Sequence, residues 1–188
     1  GIRPDHQTIL PFTRLMGGPM DYTPGIFEGD LSVYGSNKAK LGTTLVKQLA
    51  LYVTMYSPLQ MAADLYQNYE KYPDAFQFIK DVAVDWDHTY ILEAEPGDYI
   101  TIARKAKGKN EWYVGGITDE NSREALIDFS FLPKGKKYQA VIYADGKKAD
   151  WRTNPKEYVI ETRTVSYKTK LRQKLAPSGG VAISIKEL

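Results

Sequence analysis

The chain has 188 residues, of which 43% are hydrophobic and 26% are charged, a composition typical of a globular protein and not of a disordered one. A formal net charge of +2 without a run of Lys or Arg gives no electrostatic sign of a nucleic-acid partner. The absence of cysteine excludes disulfides, thiolate chemistry and cysteine-bound zinc. The longest apolar run, "LALYVTMY", is too short to cross a bilayer, so no membrane partner is expected.

Helix signals dominate the first half of the chain. Residues 6–16 are predicted to form a short helix that Asp5 caps and Pro11 strains or kinks. A strand followed by a loop is the competing interpretation of residues 8–13. The sequence leaves both interpretations open for this segment.

A clearer helix signal follows in "GTTLVKQLALYVTMY". Thr43 or Thr44 is predicted to cap a helix that is apolar nearly all round between residues 49 and 56. Pro58 is expected to kink or restart it, with an apolar face continuing over residues 59–65. A helix that is apolar on every side is buried in a larger body, because each large apolar side chain gains about 1.5–3 kcal/mol on burial.

The second half of the chain changes to a period of two. Apolar and polar residues alternate from about residue 88, and turn signals occur at Pro96-Gly97, in "PKGKK" and at Asp145-Gly146. Seven or eight short strands without intervening helices indicate an antiparallel β-sandwich.

The fold class is therefore α+β, with a helical part over residues 1–86 and a β-sandwich over residues 87–188. A further short helix is predicted over residues 73–82. The helical part cannot cover its own apolar helix, so either the sandwich or protein outside this chain covers it, and we expect the second. The same order of elements, helices and then an all-β domain, is found where a (β/α)8 barrel ends and an accessory sandwich follows it.

Two local patterns have competing explanations. The segment "DVAVDWDHTY" gathers three aspartates and one histidine, but a surface junction is favoured there over a metal site. The sandwich also carries aromatic residues that could stack on a sugar or fill the core, and core filling is favoured: Trp112, Tyr113, Tyr138, Tyr143 and Trp151.

The stretch "GGPMDYTPGIF" is too rich in Gly and Pro for a helix or an ordinary strand. Residues 20–23 are long enough for one short strand. If that strand ends a barrel, Asp21 and Tyr22 lie at its carboxyl end, where barrel active sites form. The alternative is a rigid turn in which Asp21 binds local backbone N–H groups. The residues alone do not decide between the two.

The segments "TILPFTRLMGGPMDYTPGIF", "LALYVTMYSPLQMAADL" and "FIKDVAVDWDHTYILEAEPGDYITIARKAKGKNEWYVGGITDE" closely resemble glycoside hydrolase family 97, the α-glucosidase-like enzymes of Bacteroides-type bacteria. The resemblance covers essentially the whole chain. It implies an amino-terminal sandwich, a calcium-dependent catalytic (β/α)8 barrel (a TIM barrel) and a carboxyl-terminal sandwich. This chain would be the end of that barrel plus the last sandwich, in a periplasmic enzyme acting on α-linked glucosides.

The resemblance also sets the expected site residues. Its catalytic and calcium-binding glutamates lie upstream of the "PDHQTILPFTR" match, so no catalytic or metal-binding role is carried over onto this chain, which is expected to be inactive alone. Asp21 and Tyr22, and with less support His6 and Arg14, are the candidate substrate-binding residues. The partners implied are an oligosaccharide substrate and the remainder of the barrel. The competing function is a non-catalytic carbohydrate-binding module using Trp112 or Trp151, or a structural cap.

Overall fold

The computed structural model describes residues 3–35 and 38–188. Its helices are α1 (Pro4–Ile9), α2 (Leu45–Thr54), α3 (Tyr66–Glu70) and α4 (Pro73–Asp81). Its strands are β1 (Trp86–Glu95), β2 (Tyr99–Ala106), β3 (Glu111–Thr118), β4 (Arg123–Asp128), β5 (Tyr138–Asp145), β6 (Tyr158–Val165), β7 (Lys170–Leu175) and β8 (Gly180–Glu187). The change from helices to strands near residue 86 is confirmed.

The strands form two antiparallel sheets. Six of them follow the order β1-β2-β3-β8-β5-β6, while β4 and β7 form a second sheet. The predicted antiparallel sandwich is therefore confirmed. At the first hairpin the Asp98 N–H donates to the Glu95 carbonyl at 3.1 Å. Gly97 has φ of 88°, which is the left-handed conformation that the third position of a type II turn requires.

The amino-terminal segment is helical, but the single helix predicted over residues 6–16 is wrong. Helix α1 ends at Ile9, and two short 3-10 turns follow, Leu10–Phe12 and Arg14–Gly17. Pro11 lacks the N–H that would continue an α-helix, which explains the change. Asp5 does not cap α1; it lies inside the first turn and accepts a 2.8 Å hydrogen bond from the Arg3 guanidinium.

Helix α2 begins as predicted and ends earlier. The Thr44 hydroxyl accepts from the Lys47 N–H at 3.1 Å, which confirms the threonine cap. The apolar helical face expected over residues 59–65 is wrong, because the chain is non-helical there and Leu59 is 69% exposed. Met55 is already extended at the end of α2, and the Gln60 side-chain amide donates to the carbonyls of Tyr52 at 3.2 Å and Met55 at 3.1 Å, so the last carbonyls of the helix are bonded without a further helical turn.

All ten residues of α2 are buried by this chain itself. The helix packs against β3 and β8 on one side, and its apolar residues share a cluster with Phe27 and with Phe78 of α4. Close packing depends on Gly115, where an added Cβ would lie 2.7 Å from the Ala50 carbonyl oxygen. The expectation that protein outside the chain covers this helix is therefore wrong.

The six-stranded sheet has a hydrophobic core on each face. On β3, Tyr113 and Ile117 face the helices, whereas Trp112 and Val114 face the two-stranded sheet. Four of the five aromatic residues considered for sugar stacking are buried, which confirms core filling for them: Trp112, Tyr113, Tyr138 and Tyr143. Trp112 is only 4% exposed, so its use as a sugar platform is excluded.

Candidate functional site

A pocket of about 320 Å³ opens where the Gly/Pro-rich stretch meets the start of α2. Asp21 and Tyr22 both line it, so the structure brings together two of the four predicted site residues. The remaining lining residues come from α1, from the loop after Tyr22 and from the amino-terminal end of α2: Gln7, Thr23, Pro24, Ile26, Leu41, Gly42, Thr43 and Gln48.

The extended segment that carries these residues pairs with a second one. The strand expected over residues 20–23 is present only as an isolated parallel bridge between Tyr22 and Gln60. Helix α2 lies between the two bridged residues in the sequence. Parallel pairing across a helical crossover is the arrangement of a βαβ unit. The pocket lies beside the first of the two bridged segments, with lining residues on both sides of Tyr22.

Tyr22 and Gln7 form the polar wall of the pocket. The Gln7 side-chain amide donates to the Tyr22 hydroxyl oxygen at 3.1 Å. Burial raises the pKa of the Tyr22 phenol, and the hydrogen bond from Gln7 opposes that shift only in part. The phenol is therefore neutral and keeps a proton to donate. The Gln7 Oε1 is buried without a partner among residues 3–35 and 38–188.

Asp21 is exposed at the pocket wall. Its carboxylate makes no hydrogen bond or ion pair within the part of the chain that the structure describes. The alternative in which Asp21 binds local backbone N–H groups is therefore wrong. A carboxylate at the wall of a pocket that a phenol also lines can accept hydrogen bonds from a hydroxyl-rich ligand.

The loop after Tyr22 is held by side chains from α2. Gln48 accepts from the Gly25 N–H at 2.9 Å and from the Ile26 N–H at 3.2 Å. Its amide nitrogen donates to the Thr43 hydroxyl at 2.9 Å. The Tyr52 hydroxyl donates to the Pro24 carbonyl at 3.2 Å. Sequence reasoning missed Gln48, whose only signal was an amide within an otherwise apolar helix.

Side chains that follow α2 hold the other end of the same loop. The Asp64 carboxylate accepts from the N–H groups of Phe27 and Glu28, each at 2.7 Å. The Tyr69 hydroxyl donates to the Gly25 carbonyl at 2.8 Å. Backbone groups along residues 24–28 are thus bonded to buried or half-buried side chains. This bonding gives the pocket wall a fixed shape.

The other two predicted site residues do not line the pocket. His6 is exposed, although its neighbour Gln7 is a lining residue. The Arg14 guanidinium donates to the Gly18 carbonyl at 3.5 Å and to the Pro19 carbonyl at 3.4 Å. Arg14 therefore braces the chain just before Asp21 and does not face the pocket.

The acidic junction "DVAVDWDHTY" is a surface of ion pairs. Asp85 pairs with Lys107 at 2.8 Å and Asp87 with Lys105 at 3.1 Å. Across residues 3–35 and 38–188, no group of three His, Cys, Asp or Glu side chains is arranged to hold a metal ion. The aspartates Asp85 and Asp87 of this segment are accounted for by their ion pairs with lysines.

Trp151 lies in a separate groove. It is half-buried and lines a space of about 270 Å³ between residues 28–30 and the loop before β6. The Arg152 guanidinium lies 4.3 Å from the centre of its ring and covers one face of it. The carbohydrate-binding-module alternative therefore loses Trp112 as a platform, and Trp151 has one face of its ring covered.

The fold defines this molecule as an antiparallel β-sandwich protein whose large sheet also packs against a helical segment. The family model described as "Glycosyl-hydrolase 97 C-terminal, oligomerisation" matches residues 85–186. This chain belongs to that family, as its resemblance to glycoside hydrolase family 97 predicts. No helix in the described part of the chain is long and apolar enough to span a membrane.

Two relatives extend the match to the rest of the chain. A retaining α-galactosidase of Bacteroides thetaiotaomicron is 38% identical over 185 residues, which are 96% of this chain and 27% of that protein. A family 97 enzyme of Pseudoalteromonas sp. strain K8, solved with acarbose, is 50% identical with a TM-score of 0.94. That match covers 99% of this chain and 29% of the enzyme. The chain thus spans less than a third of either relative.

Proposed function

We propose that this chain is the carboxyl-terminal portion of a longer glycoside hydrolase that cleaves α-linked glucosides. The observation that carries the proposal is the 50% identity, over 99% of this chain, with the Pseudoalteromonas enzyme. That enzyme was also solved with panose, which is built from α-linked glucose units. The Bacteroides relative is an α-galactosidase, and α-galactosides are therefore the competing substrate class.

Within that enzyme we assign residues 1–86 to the last portion of the (β/α)8 barrel and residues 87–188 to the terminal sandwich. The parallel bridge between Tyr22 and Gln60, with α2 between them, supports the assignment. On this assignment Tyr22 belongs to the penultimate barrel strand and Gln60 to the last. Asp21 and Tyr22 were expected on the last barrel strand. This assignment places them on the strand before it.

The remainder of the barrel is the proposed partner of one surface of this chain. Large apolar side chains are exposed on both sides of Gln60: Leu59, Met61, Leu65 and Tyr66 are 69%, 48%, 54% and 68% exposed. Four large exposed apolar side chains between residues 59 and 66 favour a contact with another part of a protein. We propose that the first strands of the barrel pack there and close it.

In the closed barrel the pocket beside Asp21 would form part of the substrate cleft. Asp21 and Tyr22 would bind sugar hydroxyls, His6 would lie at the rim, and Arg14 would hold the chain that leads to Asp21. Hydrolysis itself requires two carboxylates that flank the glycosidic bond. We assign both of them, and the ligands of the implied calcium ion, to the part of the enzyme outside this chain.

The test is an assay of the intact protein, together with this chain alone, on 4-nitrophenyl α-glucoside and α-galactoside. We expect the intact protein to hydrolyse the glucoside faster and the chain alone to hydrolyse neither. A preference for the galactoside would disprove the substrate assignment, and hydrolysis by the chain alone would disprove the placement of the carboxylates. Fractionation of the source cells tests the periplasmic location that we propose for the enzyme.

A further inference from the structure

Strand β6 forms an open edge of the six-stranded sheet. Within residues 3–35 and 38–188, β5 is the only strand that pairs with it. Its eight residues pair with β5 without a register shift, from Tyr158 opposite Asp145 to Val165 opposite Tyr138. The outer edge of such a strand presents a row of N–H and C=O groups that can pair with another chain.

The opposite edge of the sheet, β1, is less regular than β6. Its pairing with β2 is interrupted by two register shifts, between Trp86 and His88 and between Ile91 and Glu93. Bulges of this kind twist an edge and prevent regular pairing with a further strand. Of the two edges of the large sheet, only β6 is regular along its whole length.

The side chains of β6 also suit a paired strand. Its sequence "YVIETRTV" consists largely of β-branched residues, which favour strands. Val159 is 47% exposed and Ile160 is 36% exposed, although both are apolar. An open edge that carries exposed apolar residues is covered in most native proteins, because it otherwise promotes aggregation.

The charges of β6 are complementary to those of the same strand in a second copy. Glu161 and Arg163 lie on one face and form an ion pair at 2.7 Å, with side chains 41% and 51% exposed. Consider two copies of β6 paired antiparallel about a two-fold axis through Thr162. Glu161 then lies opposite Arg163 of the partner subunit, and Val159 lies opposite Val165 of the partner subunit. Opposite charges that face each other across two strands stabilise the pair.

We propose that β6 is a self-association strand, through which two copies of this chain pair antiparallel about Thr162 and continue the sheet. The description of the matched family includes oligomerisation without naming a surface. The two-fold contact is closed, so it yields a dimer and not a filament. The proposal concerns the sandwich alone and does not depend on the glycosidase activity.

Cysteine cross-linking tests both the strand and the register, since this chain has no cysteine of its own. Opposite residues of paired strands have Cβ atoms about 4.5–5.5 Å apart. Thr162→Cys should therefore form a disulfide between two copies of the intact protein under mild oxidation. Thr164→Cys is the matched control, because the two copies of residue 164 would be four residues, about 13 Å, apart. Cross-linking of residue 164 as readily as residue 162 would overturn the register.

Charge reversal tests the association without a cross-link. Light scattering should show that the intact protein is a dimer and that Glu161→Arg weakens dimerisation at least tenfold, because two positive charges then face each other across the paired strands. The double variant Glu161→Arg/Arg163→Glu restores complementary charges and should restore the dimer. A wild-type protein that is monomeric at all concentrations, or a single variant that dimerises as well as wild type, would overturn the proposal.

Discussion

The Lys47 ammonium group donates a 2.8 Å hydrogen bond to the carbonyl oxygen of Thr118, at the end of β3. The same group donates to the Ser178 hydroxyl at 3.1 Å and to the Pro4 carbonyl at 3.3 Å. Lys47 is fully buried, so these bonds join α1, α2 and the sandwich around one enclosed cation. The helical segment and the sandwich therefore share their interior.

We expect the stability of the protein to rise with pH above neutrality because of Lys47. Burial lowers the pKa of its ammonium group to about 7, and the charges of Asp119 and Asp145 only partly oppose that shift. An unfolded chain has a lysine pKa of about 10.4, so between these values the unfolded state binds more protons. The free energy of unfolding should rise by up to about 1.4 kcal/mol per pH unit, as urea unfolding across this window measures.

Lys47→Met is the matched variant for this experiment. It removes the titrating group and keeps the apolar stem, so the rise between about pH 7 and 10 should disappear. The raised pKa of Asp145, about 6, lies below the window and does not contribute there. An equal slope in the wild-type protein and in Lys47→Met would contradict the assignment.

Gly115→Ala should destabilise the contact between α2 and the sheet. The added Cβ would lie 2.7 Å from both the Ala50 carbonyl oxygen and the Val53 Cβ, and neither is the end of a flexible side chain. Overpacking of this kind typically costs about 1–3 kcal/mol. Thermal unfolding measures the effect, with Gly17→Ala as a control because nothing lies within 4 Å of its added Cβ. Equal unfolding midpoints for the two variants would show that α2 can shift freely.

Gln48→Leu should loosen the pocket wall. The change leaves the N–H groups of Gly25 and Ile26 without their acceptor, and each unpaired buried group costs about 1–3 kcal/mol. Gln48→Glu keeps an acceptor oxygen and is the conservative control. Hydrogen exchange of the two amides should be faster in Gln48→Leu than in Gln48→Glu. Unchanged exchange in both variants would mean that other bonds suffice to hold the loop.

Asp21→Ala in the intact enzyme should lower kcat/KM by about tenfold or more, equal to about 1.4 kcal/mol of lost transition-state binding. Thermal stability should change little, because the Asp21 carboxylate has no hydrogen-bond partner within the described residues. Steady-state kinetics and a melting curve on the same preparation measure both effects. Unchanged kinetics with a lower melting temperature would assign Asp21 a purely structural role.

Local chemistry was readable from the sequence wherever neighbouring residues decide the conformation. The cap at Thr44 and the turn at Gly97 follow from hydroxyl and glycine chemistry within a few positions. The alternation that predicts the sandwich has the same local origin, because side chains alternate between the two faces of a strand. Family membership likewise needed only motifs in the sequence.

The sequence did not predict which surface buries α2, nor which side chains hold the wall of the pocket. An apolar helix requires burial, but its composition does not say which surface provides it; the outer face of the large sheet does so only because Gly115 lets the backbones approach. The loop over residues 24–28 is likewise held by Gln48 and Asp64, which lie far along the chain. The sequence by itself determined the cap of α2, the first hairpin turn, the alternating strands and the family, because these depend on near neighbours. Only the tertiary structure decided which distant groups meet, since that depends on how the layers pack.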